Sequence, residues 1–107
     1  MRPTKVRIGA IDFDVIWEDQ AWSRAASSCA QFDGEKFTIR VWQEGPERAL
    51  ACRFVHEVIH GLCWQHLVSK EPHTEEEVCN LASYELADFW RSNPEAFDWW
   101  IGAMKDA

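Results

Sequence analysis

The chain has 107 residues, a length that suits a single domain spanning 1–107 around one core. Apolar residues make up 47% and include seven tryptophans, so intrinsic disorder is excluded. A net charge of −7 with no basic run argues against binding nucleic acid through its phosphates. No apolar run approaches the roughly 20 residues of a membrane span, and MRPTKVRIGA lacks the apolar core of a signal peptide. Cys29, Cys52, Cys63 and Cys79 form no CxxC pair. They are expected to be reduced, packed as small hydrophobes, in a cytoplasmic protein.

The first part of the chain, about residues 5–43, reads as strands. Lys5 to Ile8 and Ile11 to Trp17 alternate around Gly9-Ala10, a hairpin turn. Phe37 to Trp42 alternates as well, and Asp33-Gly34 ahead of it signals a turn, with Ser27 to Phe32 as the hairpin partner. Three or four antiparallel strands are expected. After Gly45-Pro46 the period changes. A helix is predicted over 46–68, with Pro46 in its first turn. Leu50, Phe54, Val55, Val58, Ile59, Leu62 and Leu67 place apolar groups on nearly every side, which predicts a buried central helix. A polar loop, 69–73, leads to Thr74 as N-cap with Glu77 at the capping-box position. A second helix runs over 75–92 and stops at Ser92-Asn93-Pro94, and a short last helix over 94–102 carries Trp99 and Trp100. Strands first and helices after predict an α+β domain with the sheet against the central helix.

The central helix carries FVHEVIHGLCWQH, in which His56, Glu57 and His60 form H-E-x-x-H. Residues four apart differ by about 40° around the axis, so His56 and His60 point the same way and can hold one divalent ion, zinc by ligand type. Glu57, about 100° to the side, is placed to act as general base on a water at that ion. Burying two histidines and a glutamate in an apolar helix would be costly without a metal. Cys52 and Cys63 share the face of the histidines. These four side chains spread over about 16 Å of axis, too far to close a Cys2His2 site.

Two sources of a third ligand stand open. His66 fits the H-E-x-x-H-x-x-x-x-x-H frame of the metzincins, but the glycine that frame needs at position 63 is Cys63, with Gly61 two residues earlier. On a continuing helix His66 lies about 240° around from His60. The other source is a carboxylate of the next helix: Glu75, Glu76, Glu77 or Glu85. Periodicity alone does not choose among them. Tyr84, seven residues after Glu77, falls on the same edge and would suit oxyanion stabilisation. Glu75, Glu76 and Glu77 also suit a helix N-terminus with no metal at all.

FVHEVIHGL followed by TEEEVCNLASYELADFWRSNPE resembles the small phage- and prophage-encoded zincin-like metallopeptidases, distantly similar to bacterial peptidases that cleave phage repressors. The resemblance covers about residues 50–95. In those peptidases an E-A-x-x-F-A motif on the following helix supplies the third ligand. Glu77-Val78-Cys79-Asn80-Leu81-Ala82 matches that frame, with valine in place of the first alanine. The resemblance therefore implies a minimal, gluzincin-like zincin fold. It implies zinc on His56, His60 and Glu77, with Glu57 as base, in the cytoplasm of a bacterium or phage-infected host.

The expected function is zinc-dependent hydrolysis of a peptide or protein substrate, with Glu57 and Tyr84 as catalytic groups. The resemblance also suggests Phe37 to Trp42 as an edge strand beside the cleft, to which extended substrate adds. The alternative is a non-catalytic, metal-stabilised partner-binding module of a phage or mobile element. So short a chain leaves little room for specificity pockets, which favours that alternative. His73 is expected to be a solvated loop residue, and Trp99-Trp100 a lid over the core.

Overall fold

The computed structural model describes residues 1–66 and 73–105. It is an α+β domain in which four strands precede the main helices. The strands are β1 (Lys5–Ile8), β2 (Ile11–Glu18), β3 (Ala30–Asp33) and β4 (Thr38–Trp42), in the sheet order β1-β2-β4-β3. Alternation decides the faces: Val6, Ile8, Phe13, Val15, Ile39 and Val41 turn inward and are buried, whereas Asp12 and Asp14 turn outward.

The sheet departs from the all-antiparallel expectation at one place. β1 pairs antiparallel with β2, and β3 with β4, but β2 and β4 run parallel, with Val15 opposite Ile39. A parallel pair needs a crossover rather than a hairpin. That crossover contains α1 (Gln20–Ala26), a helix within the stretch expected to be strands. Its signals are local: Asp19 accepts the Trp22 N–H as N-cap at 2.9 Å, and Ser27 closes it in the left-handed region at φ 52°. Seven residues are too few to show a helical period. The partner strand consequently begins at Ala30, not Ser27.

The central helix α2 (Glu47–His66) lies on the inner face of the sheet. It is not buried all round. Leu50, Ala51, Phe54, Glu57, Val58, Gly61 and Leu62 form the buried stripe, while Cys52, His56, Ile59, His60 and His66 are exposed. The cysteines are not packed inside as expected: Cys29, Cys52 and Cys79 are exposed and Cys63 is half-buried. Gly61 sets how close the helix lies. A Cβ there would meet Ile8 Cδ1 at 2.8 Å and Phe32 Cε1 at 3.0 Å, so only glycine lets the helix rest between β1 and β3. The predicted last residues of this helix, and most of the loop after it, fall in 67–72 and lie outside the described residues.

The second predicted helix is one rod in three parts: α3 (Glu75–Asn80), a π-helical turn over Leu81–Glu85, and α4 (Leu86–Ser92). The capping box is present: Glu77 N–H donates to Thr74 Oγ1 at 3.1 Å and Thr74 N–H to Glu77 Oε1 at 3.1 Å. In the π turn, Leu86 N–H reaches Leu81 O, and Ser83 Oγ donates to Cys79 O at 2.6 Å, a back-bond that loosens the α-ladder. Asn93 ends the rod and ties it to the sheet. Its amide accepts the Arg7 N–H and donates to Arg7 O, each at 2.7 Å. The last helix, α5 (Pro94–Lys105), is longer than predicted. Trp99 is core rather than lid: it is buried against Trp17 and Phe54, with its indole donating to Glu47 at 3.0 Å. Trp100 is half-buried and stacks with Trp90 and Phe97. No helix among the described residues is long and apolar enough to cross a membrane.

Candidate metal centre

The i, i+4 spacing on α2 brings the two imidazoles together as expected. His56 Nε2 and His60 Nε2 lie 3.2 Å apart, with ring centroids 4.8 Å apart and the rings inclined at 71°. Two zinc–nitrogen bonds of about 2.0–2.1 Å at a tetrahedral angle would hold such atoms about 3.3–3.4 Å apart. The separation is close to one edge of a zinc tetrahedron, and it is also a hydrogen-bond distance between the two rings. Both rings are exposed, so the cost of burying histidine does not apply to them.

It applies to Glu57. One residue on from His56, the helix turns this side chain into the buried stripe, where only 6% of it is exposed. Loss of hydration pushes its carboxyl above the ordinary value. His60, His56 and a backbone hydrogen bond from Phe32 of β3 pull the other way without cancelling the rise. Glu57 Oε2 stands 3.9 Å from His56 Nε2. His56, Glu57 and His60 offer ligand atoms that all lie within 4.8 Å of one another, and among the described residues no other group of three does so.

The remaining predicted residues fall elsewhere. α2 runs straight through Cys63 to His66, so His66 is carried round the axis, as the helical angle requires, and meets Glu85 at 2.9 Å. Two candidate third ligands thus bind each other. Glu75 and Glu76 are exposed and Glu77 is half-buried, with its carboxylate on the Thr74 cap. Tyr84 is 74% exposed. The shared edge drawn for Glu77 and Tyr84 assumed an unbroken α-helix. The π turn inserts one residue into the winding and rotates the later part of the rod by about 100°. His73 is exposed, as expected.

β3, not β4, is the edge strand beside the site. β4 is paired on both sides, which uses its peptide groups. Trp42 N–H donates to Cys29 O at 2.9 Å, so residues 29, 31 and 33 turn their peptide groups toward β4, and Ala30 and Phe32 turn theirs away. Side chains already occupy this outer rim. Ser28 Oγ accepts from Ala30 N–H at 3.3 Å and donates to Ala30 O at 2.6 Å, while Glu57 holds Phe32. A short edge covered in this way is protected from chance pairing.

Sequence reasoning did not anticipate the space between β3 and α2. A cavity of about 380 Å³ opens there, reaching His56 and Glu57. A larger one, about 740 Å³, lies between the N-terminal segment and α5, lined by Arg2, Glu47 and Trp99. The smaller adjoins the candidate site, because it touches His56 and the buried carboxyl and the larger touches neither. A scan of known families finds no match, and searches of curated proteins and of solved structures find none either.

Proposed function

We propose that the protein is a zinc-dependent hydrolase of peptide bonds. The observation that carries this reading is the His56–His60 pair, held 3.2 Å apart at its Nε2 atoms beside a buried glutamate one residue along the helix. A site that only bound metal would need the two imidazoles but no carboxyl set between helix and edge strand.

In this reading His56 and His60 hold the ion, and Glu77 completes the set from the far side of residues 67–72. Glu77 is favoured over Glu75 and Glu76 because it alone of the three is half-buried; its Oε1 accepts from the Thr74 cap as Glu85 pairs with His66, so either carboxylate would exchange a partner for the ion. When bound, zinc would supply Lewis-acid polarisation of the scissile carbonyl and a lowered pKa for the attacking water. Glu57 takes the proton from that water on a carboxylate oxygen and returns it to the departing amine nitrogen. A peptide running along the rim of β3 would replace Ser28 at Ala30 and Glu57 at Phe32, which frees the base as the substrate arrives.

The test is elemental analysis of the purified protein together with a peptide-library digest. Wild type is expected to carry one zinc per chain and to cleave. His56→Ala and His60→Ala should each lose zinc at micromolar protein. Glu57→Gln should stay folded and keep zinc while cleavage falls by about 10²–10⁴-fold. Stoichiometric zinc in both histidine variants would sink the reading.

One observation favours a second reading. Glu57 ties α2 to Phe32 of the edge strand, a structural task that requires no catalysis. A metal-stabilised binding module would show the same zinc content and no cleavage by wild type.

A further inference from the structure

The groove between the N-terminal segment and α5 touches neither His56 nor Glu57 and has no role in the hydrolase reading. Its volume of about 740 Å³ falls within the roughly 300–1,000 Å³ typical of ligand pockets, room for a short stretch of extended chain. Lys5 of β1 lines one wall, and Glu95, Asp98 and Gly102 of α5 line the other.

The outer edge of β1 holds an unused pair of peptide groups. Val15 N–H donates to Thr4 O at 2.9 Å, so Thr4, Val6 and Ile8 turn their peptide groups toward β2, and Lys5 and Arg7 turn theirs outward. Arg7 is already claimed: the Asn93 amide accepts its N–H and donates to its O, as a neighbouring strand would. The N–H and C=O of Lys5 have no such partner among the described residues. One residue of an added strand would satisfy both.

Charge selects the strand. Arg2 and Glu47 are occupied with each other: Arg2 Nε donates to Glu47 Oε1 at 3.1 Å, and the Trp99 indole takes the other oxygen at 3.0 Å. The Lys5 ammonium stands 3.9 Å from Asp14 on the outer face of the sheet. Glu95 and Asp98 are exposed, and neither meets a cation or a hydrogen-bond donor among the described residues. The lining therefore has two carboxylates to spare. In an added strand, the residue opposite Lys5 shares the outer face with it. The residues before and after that one turn to the inner-face side, where α5 packs through Trp99. Those two side chains start about 7 Å apart. Carboxylates three residues apart on a helix, as Glu95 and Asp98 are, start roughly 5–6 Å apart.

We infer that this groove binds an extended basic segment of a partner protein, of the pattern basic-x-basic. Residue x pairs with Lys5, and the lysines or arginines beside it meet Glu95 and Asp98. The net charge of −7 favours the approach of such a partner.

The metal-free full chain, isotope-labelled for NMR, is titrated at low ionic strength with acetyl-Ala-Lys-Thr-Lys-Ala-amide. The same peptide with Gln or Glu in place of Lys gives the comparison. The Lys5 amide and Trp99 indole signals are expected to shift. The lysine peptide should bind about three- to tenfold more tightly than the glutamine one, the sum of two exposed ion pairs, and the glutamate one most weakly. Glu95→Gln with Asp98→Asn should erase that preference. Lys5→Pro removes the outward N–H and spares the ladder to β2, so it should weaken binding where Lys5→Ala does not. Gly102→Trp should block the groove, because a Cβ added there meets nothing within 4 Å. Gly102→Leu serves if the tryptophan variant does not fold. Equal affinity for the lysine and glutamine peptides, a preference that survives the carboxamide pair, or shifts spread over the acidic surface with none at Lys5 would each overturn the inference. So would spermidine bound as tightly as the lysine peptide, which would make this a site for free polyamines. A dimer in sedimentation that Gly102→Trp dissolves would give the groove to a second copy instead. Absence of zinc or of cleavage leaves this result untouched.

Discussion

His56 and His60 stand on one helix, four residues apart, and their nitrogens meet with no help from the rest of the molecule. Glu77, proposed to join them, stands on a different rod, separated from α2 by residues 67–72 and wound through a π turn before it packs through Leu81 and Phe89. The first side of the site is fixed by helical geometry alone. The second depends on where a whole rod comes to rest. Half of the candidate metal centre can therefore be read from spacing, while its completion would be a tertiary property.

The sharpest way to break this comparison is at Glu77. Glutamine keeps the capping box, because a Gln side chain can still accept the Thr74 N–H. If Glu77 is the third ligand, Glu77→Gln should weaken zinc binding by about a hundredfold or more, beyond the roughly 10–100-fold of a group that only orients a ligand. The melting temperature of the metal-free protein should stay put. Competition with a chromophoric chelator gives the number. Unchanged affinity in Glu77→Gln, with a loss in His66→Ala or Glu85→Ala, would move the third ligand to the His66–Glu85 pair.

The next effect concerns the seat of the helix on the sheet. Gly61→Ala drives a methyl group against Ile8 and Phe32, which are inner-face residues of strands and have little freedom to move. A loss of about 1–3 kcal/mol in denaturant unfolding is expected. Since Phe32 also holds Glu57, the same change should lower cleavage more than its cost in stability explains. A variant as stable as wild type would show that the close approach does not matter.

The smallest effect is a pH dependence. Burial raises the Glu57 carboxyl above its ordinary value of 4.5. Between 4.5 and the raised value the folded, metal-free protein binds a proton that the unfolded chain lacks, so stability declines as pH rises through that window. Glu57→Gln has no such titration. In chelator, the variant should melt above wild type at neutral pH, and the gap should close as pH falls below the window. A gap that grows toward acid would show that Glu57 is stabilised, not destabilised, by its surroundings.

Several features of the fold were legible for local reasons. The two-residue alternation of Val6 to Val15 and of Ile39 to Val41, the Gly9-Ala10 turn, the start of α2 at Glu47 and the Thr74–Glu77 capping box each depend on near neighbours in sequence. Of the misread features, α1 is local but too short to show a period, and the others depend on distant residues. The parallel pairing of β2 with β4 results from the crossover that α1 helps to form. The apolar residues of α2 look continuous in sequence, yet the sheet covers only one face and leaves Ile59 outside.

The candidate site divides in the same way. Spacing alone points to His56, Glu57 and His60. That Glu57 is buried while both histidines are open to solvent is not legible there, because burial depends on what the other elements cover. The cavity at Cys29 and Cys52 had no signal in sequence. It exists because the turn into β3 and the first half of α2, more than twenty residues apart, enclose a space that neither defines alone.

By itself, then, the order of residues determined the order of the elements and the meeting of two imidazoles on one helix face, since backbone angles repeat every few residues whatever surrounds them. Tertiary structure decided which strand borders the site, which carboxyl is kept from water, and that a gap opens beside it. Those properties belong to surfaces brought together from distant parts of the chain, and no local periodicity encodes their relative placement.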